Sequence, residues 1–161
     1  MQENWAERRV KDSMIIRISK ITLISFLLFS CEPNLVDDPI PVVNFDDVVI
    51  NLSFPAYINL NKEGGFKDIS DLGGGVRGII VYRLSPTAFV AYEKNCSYTP
   101  NEACSTVEVH SSGLFMIDPC CSSSFNFLDG MPTGGPAWRP LRKYRTQLNG
   151  NTLTITDEII D

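Results

Sequence analysis

The chain has 161 residues, 43% hydrophobic and 20% charged, with 19 acidic against 14 basic side chains and a formal net charge of −5. This length leaves room for one domain once a leader is set aside. The acidic balance, with no basic patch beyond Arg139, Arg142, Lys143 and Arg145, argues against nucleic-acid binding, and the single histidine, His110, leaves no basis for His-centred catalysis or metal chemistry.

At the N-terminus, Arg17 and Lys20 flank an apolar run over residues 21–30 that ends at Cys31. A run of about 10 residues is too short for a bilayer, which takes roughly 20, and suits the apolar part of a secretory signal. Leu28-Phe29-Ser30-Cys31 resembles a bacterial lipobox, in which a cysteine after a small residue is diacylated and becomes the N-terminus; Phe29 is bulkier than the usual occupant. Met14 offers an alternative start, and a buried cysteine closing a core helix is the alternative for Cys31. The expected layout is therefore a signal peptide over 1–30, a lipid anchor at Cys31, a flexible proline-containing tether over 31–44, and a folded domain over 45–161. Membrane attachment through the N-terminal lipid, in a bacterial cell envelope and at its outer membrane, goes with that layout. Removing residues 1–30 takes away five basic and three acidic residues, so the remainder is more acidic still.

Within the domain, β-branched and aromatic runs broken by Gly and Pro predict strands over 48–52, 57–60, 76–83 and 88–93, with turns at 62–65 and 85–86. Residues 106–110 read as a surface strand or turn, which makes His110 a surface residue and not a ligand. Residues 147–155 carry the turn and alternation of a closing hairpin. No useful amphipathic helical period follows the tether, so the fold class is all-β. Gly73-Gly74-Gly75 lacks the Lys-Ser/Thr and helix of a phosphate loop and reads as a flexible turn. Ile79, Val81, Phe89, Leu114, Met116, Phe125 and Leu128 are the expected core, with Trp138 packed among its prolines. The basic residues from Arg139 to Arg145 have the spacing of a strand's solvent side.

Three stretches carry the most chemistry: Asn95-Cys96-Ser97-Tyr98, Asp118-Pro119-Cys120-Cys121-Ser122-Ser123-Ser124-Phe125, and Gly135-Pro136-Ala137-Trp138-Arg139-Pro140-Leu141. Together they resemble the Rieske iron–sulfur family. Its loops read C-x-H and C-x-x-H, the second often within C-P-C-H-G-S-x-F, and its [2Fe–2S] cluster takes two thiolates on one iron and two imidazoles on the other. Pro119, Ser123 and Phe125 fix the register without a gap. The cluster positions then fall on Cys96, Tyr98, Asp118 and Cys121, of which only Cys96 keeps the family's ligand. Leu128-Asp129-Gly130, Pro140-Leu141 and Tyr144 continue the likeness, which spans roughly residues 45–157.

The resemblance implies an antiparallel β sandwich or barrel carrying a small loop-rich lobe, and a disulfide between Cys104 and Cys120. With Cys31 acylated, four cysteines remain in an oxidising compartment. The two left over, Cys96 and Cys121, are then expected to be bridged where relatives hold the cluster; a Cys120–Cys121 bridge is the strained alternative. The functional expectation is an envelope lipoprotein with a degenerate Rieske-like domain, holding no cofactor and no metal. It would have no catalytic residue and would act as a binding or structural module for an unknown protein partner. The alternative is an electron-transfer protein binding a 2 iron, 2 sulfur cluster through altered ligands, Cys96, Asp118 and Cys121 with Tyr98. Thiol–disulfide exchange at Cys120 and Cys121 is a third reading, opposed by the neighbouring Asp118.

Overall fold

Alternation along the strands divides the apolar side chains between two cores, one on each face of a central sheet. The computed structural model describes residues 38–160; the expected signal segment, Cys31 and the start of the expected tether lie outside the described residues. Ten strands are formed: β1 (Val48–Asn51), β2 (Phe66–Asp68), β3 (Ile79–Arg83), β4 (Phe89–Glu93), β5 (Glu108–Val109), β6 (Met116–Asp118), β7 (Ser123–Phe125), β8 (Pro132–Gly134), β9 (Lys143–Asn149) and β10 (Thr152–Ile159). They make a six-stranded sheet in the order β1-β10-β9-β4-β3-β2 and a four-stranded sheet in the order β5-β6-β7-β8. Every pairing is antiparallel, so the all-β class stands.

Strands β3 and β4 lie inside the larger sheet, and both of their faces are covered. Ile79, Val81, Phe89 and Ala91 enter a first core with Ile50, Leu60, Ile69, Leu153 and Ile155. The intervening Ile80, Val90 and Tyr92 enter a second core with Cys96, Val107, Met116, Phe125 and Leu141. This period-two split explains why all five residues of β4 are buried. Burying each large aliphatic is worth about 1.5–3 kcal/mol. The second core is the contact between the large sheet and the small one. It is strengthened by Tyr92, whose buried hydroxyl donates to the Phe127 carbonyl at 2.9 Å.

Several sequence expectations change. Residues 57–60 are not a strand but part of a 3-10 segment, Pro55–Asn61, with Pro55 in its first turn. Proline fixes φ and has no N–H for a sheet ladder, so the chain curls there instead. Leu114 and Leu128 leave the core: both sit in turns, 78% and 70% exposed. Strand β3 starts only at Ile79, because Val76 and Arg77 turn their N–H groups onto Glu93. The triple glycine is consequently a held turn. All three of its residues have positive φ, and a Cβ on Gly75 would lie 2.6 Å from Glu93 Oε2.

The closing hairpin forms as expected, with Asn149 opposite Thr152 and Gly150 at φ 59° in the turn. Arg139 and Arg142 do not simply face solvent. Arg139 donates to the Asp38 carbonyl, and Arg142 donates to those of Ile40, at 3.0 Å, and Pro41. The last part of the expected tether is thus fastened to the domain. Arg145 does lie outward, paired with Glu158.

Candidate functional site: a thiol and carboxylate cluster

The site forms where two loops meet. The first leaves β4 and carries Cys96, which is wholly buried and donates its N–H to the Ser105 carbonyl at 3.3 Å. The second is the hairpin between β6 and β7, closed by Asp118 opposite Ser123 and by the Ser122 N–H on the Asp118 carbonyl at 2.8 Å. A disulfide between Cys104 and Cys120, with Cα atoms 5.6 Å apart, ties the two loops together. At the tip, Ser122 is the one non-glycine residue with positive φ among the described residues, at 61°. Such a conformation is costly for a side chain with a Cβ and persists only where the surroundings impose it.

The third loop closes over both. Ser97 Oγ donates to the Arg139 carbonyl at 2.7 Å, while Arg139 Nε donates to the Ser97 carbonyl at 2.7 Å. Ala137 N–H donates to Ser123 Oγ at 3.0 Å. Gly135, at φ 80°, passes so near the second loop that a Cβ would meet Ser122 O at 2.6 Å and Ser123 Cα at 2.5 Å. Trp138 is 40% exposed with the Arg139 guanidinium over its ring, so it lines the rim.

Inside this enclosure Asp118 is wholly buried. Its Oδ1 accepts the Cys120 N–H at 2.8 Å; its Oδ2 accepts the Ser105 hydroxyl at 3.2 Å and the Cys121 thiol at 3.3 Å. It also hydrogen-bonds Cys96. Burial pushes the Cys96 thiol well above the usual cysteine range; the Tyr98 N–H on its sulfur opposes this, and the Asp118 carboxylate adds to it. The half-buried Cys121 also lies 3.1 Å from Ser123 Oγ.

The expected Cys96–Cys121 bridge is absent. Both are thiols, their sulfurs 3.8 Å apart and facing one another; a bond would need about 2.05 Å. Each thiol has a competing partner in Asp118, which stands where the family motif has a cysteine. Tyr98 reaches the site through its backbone N–H, its ring packing against the second core. His110 lies in the β5–β6 turn, at the other end of β6 from Asp118. There Nδ1 is 2.9 Å from Ser112 Oγ and the ring stacks on Phe115.

The ligand atoms of Cys96, Asp118 and Cys121 lie within 4.8 Å of one another. This set does not fit a Rieske centre. Such a centre needs two imidazoles on one iron, and the one histidine faces elsewhere. The sulfurs of Cys96 and Cys121 also lie only 3.8 Å apart, where a two-iron unit would have to stand between them.

Sequence reading missed the roles of three residues. Ser105 and Ser123 are wholly buried hydroxyls that surround the cluster; Ser123 was noted only for the register, and no sequence signal separates Ser105 from the other serines. Glu93 ends β4 and is also wholly buried. It accepts the N–H groups of Val76, Arg77 and Asn95 and the hydroxyl of Tyr144 at 2.6–3.0 Å. An acid closing the apolar run Phe89-Val90-Ala91-Tyr92 was the available hint.

No protein-family model matches the chain, and no curated protein does either. Solved structures similar to it include the ferredoxin of carbazole 1,9a-dioxygenase from Nocardioides aromaticivorans IC177, 20% identical, covering 60% of this chain and 88% of that one at a TM-score of 0.42. The plasma membrane Rieske protein PetC3 from Synechocystis PCC 6803 is 22% identical, covering 55% and 94% at 0.42. The ferredoxin of Sphingomonas yanoikuyae B1 is 14% identical, covering 59% and 87% at 0.41. Likenesses of this degree carry no functional inference, so the loops stand on their own residues.

Proposed function

We propose that this chain is a Rieske-like domain without an iron–sulfur cluster, serving as a lipid-anchored binding or structural module of the bacterial envelope. It performs neither electron transfer nor catalysis. The observation that carries this reading is the second loop. The glycine of C-P-C-H-G-S-x-F falls on Ser122, which holds a glycine-like φ of 61°. A glycine-type conformation at the motif's glycine position supports the resemblance, with Asp118 and Cys121 at two of the motif's ligand positions. The Cys104–Cys120 disulfide joins the same two loops that the resemblance pairs. Acylation at Cys31 supplies the membrane attachment, and the partner is a protein at that surface.

Iron and sulfide reconstitution of the full chain, followed by EPR and visible absorption, tests the central point. No iron–sulfur signal of any type is expected, and a stable one overturns the reading. The close grouping of Cys96, Asp118 and Cys121 favours one competing reading, a cluster held by altered ligands, and the same measurement decides it. Intact mass of the envelope-extracted protein tests the lipid: a diacylated Cys31 is expected, and an unmodified chain starting upstream of it removes the anchor.

A further inference from the structure

We infer that Cys96, Cys121 and Asp118 form a mononuclear site for a thiophilic divalent cation of the zinc class. The inference rests on the cluster-free reading, since one set of donors cannot serve both groups.

The geometry is specific. Zinc holds thiolate sulfur at about 2.3 Å and carboxylate oxygen at about 2.0–2.2 Å, almost always in a tetrahedron. Two sulfurs 3.8 Å apart, each about 2.3 Å from one ion, subtend about 111° at it. The Asp118 Oδ2 to Cys121 Sγ distance of 3.3 Å gives about 100° by the same construction. Both angles sit near the tetrahedral value, and the third pair, Asp118 with Cys96, is hydrogen-bonded. The donors therefore stand about where one ion would need them.

The surroundings agree. Asp118 is wholly buried with no ion pair among the described residues, and buried carboxylates are ordinarily paired or bound to metal. Outer hydrogen bonds orient the donors, as they do around metal ligands. The Tyr98 N–H points at Cys96 sulfur, and the Cys120 N–H occupies Asp118 Oδ1, leaving Oδ2 toward the thiols. Ser123 Oγ already accepts from Ala137, so its own proton is available to a thiolate at Cys121. A mixed sulfur and oxygen set suits zinc better than copper(I), which prefers sulfur alone. On binding, the two thiol protons pass to solvent as the sulfurs become thiolates. Three protein donors leave the fourth position to water.

The experiment is a cobalt(II) titration of the full chain, purified anaerobically in detergent and stripped of metal with a chelator. One equivalent should bind, with thiolate-to-cobalt charge transfer and the intense visible bands of four-coordinate cobalt, and zinc should displace it. Cys121→Ser should halve the charge-transfer intensity and weaken binding by more than about 100-fold, above the 10- to 100-fold typical of outer-shell changes. Asp118→Asn should weaken binding while leaving both sulfur bands. Circular dichroism of each variant checks folding, and band intensity per bound cobalt reads donor count even in a destabilised variant. Absence of stoichiometric binding, six-coordinate spectra, or a Cys96–Cys121 disulfide in the native protein would each overturn the site while leaving the cluster-free reading intact. A stable iron–sulfur signal after reconstitution would instead remove both.

Discussion

Replacing Glu93 with Gln probes the junction between the sheet and the thiol loops. The carboxylate accepts two donors on each oxygen: Val76 N–H and Tyr144 hydroxyl on Oε2, Arg77 and Asn95 N–H on Oε1. Glutamine keeps the shape but turns one acceptor into an NH2 donor. The cheaper placement puts that group at the Oε2 position, where the Tyr144 hydroxyl can rotate to accept and the Val76 N–H cannot. An orphaned buried donor costs about 1–3 kcal/mol, and the bonds on the other oxygen fall from the charged range of about 1.5–3 to about 0.5–1.5 kcal/mol each. Val76 is partly exposed, so its share lies at the lower end, and the total is about 3 kcal/mol. Urea unfolding followed by circular dichroism should show this loss as a lower midpoint with an unchanged slope. A loss under about 1 kcal/mol would mean these bonds do not hold the triple-glycine turn, and the reasoning fails.

Three further outcomes are expected. Gly135→Ala should destabilise by more than about 2 kcal/mol in the same assay, because left-handed backbone costs about 1–2 kcal/mol with a Cβ and this Cβ collides with second-loop backbone. Removing both Cys104 and Cys120 as alanines should cost about 3 kcal/mol by loop-closure entropy over their separation of 16 residues; an unchanged midpoint would count against the bridge. Stability should fall on the alkaline side. In the metal-free chain, burial raises Cys96, Tyr92 and Tyr144 above their ordinary values of 9.0, 10.0 and 10.0. The folded chain then keeps protons that the unfolded chain sheds. The contribution is full below about pH 9 and is lost as pH climbs beyond it. In Tyr144→Phe that decline should be shallower, and a slope equal to the parent's would refute the assignment.

The β character was readable because β-branched and aromatic runs such as Ile79-Ile80-Val81-Tyr82 carry it locally. Their division between two cores was not, since a strand buried on both faces shows no polar alternation. Leu114 and Leu128 were misplaced for a related reason: hydrophobicity says nothing about whether a turn will lift a residue off the sheet. In the site, the motif brought Cys96, Asp118 and Cys121 together and paired Cys104 with Cys120. It did not separate a bridged Cys96 and Cys121 from two thiols sharing a carboxylate, because that choice rests on where the Asp118 side chain sits between them. The reach of Arg139 and Arg142 to residues 38–41 was invisible as well, being a contact across about 100 residues of chain.

Those two arginines set how mechanical load enters the molecule. A pull transmitted through residue 38 acts first on side chains rooted in the third loop, and Arg139 is clasped reciprocally to Ser97. Tension on the leading segment is therefore delivered to the rim of the sulfur cluster before it reaches β1, whose ladder with β10 bears force only after the clasp has let go.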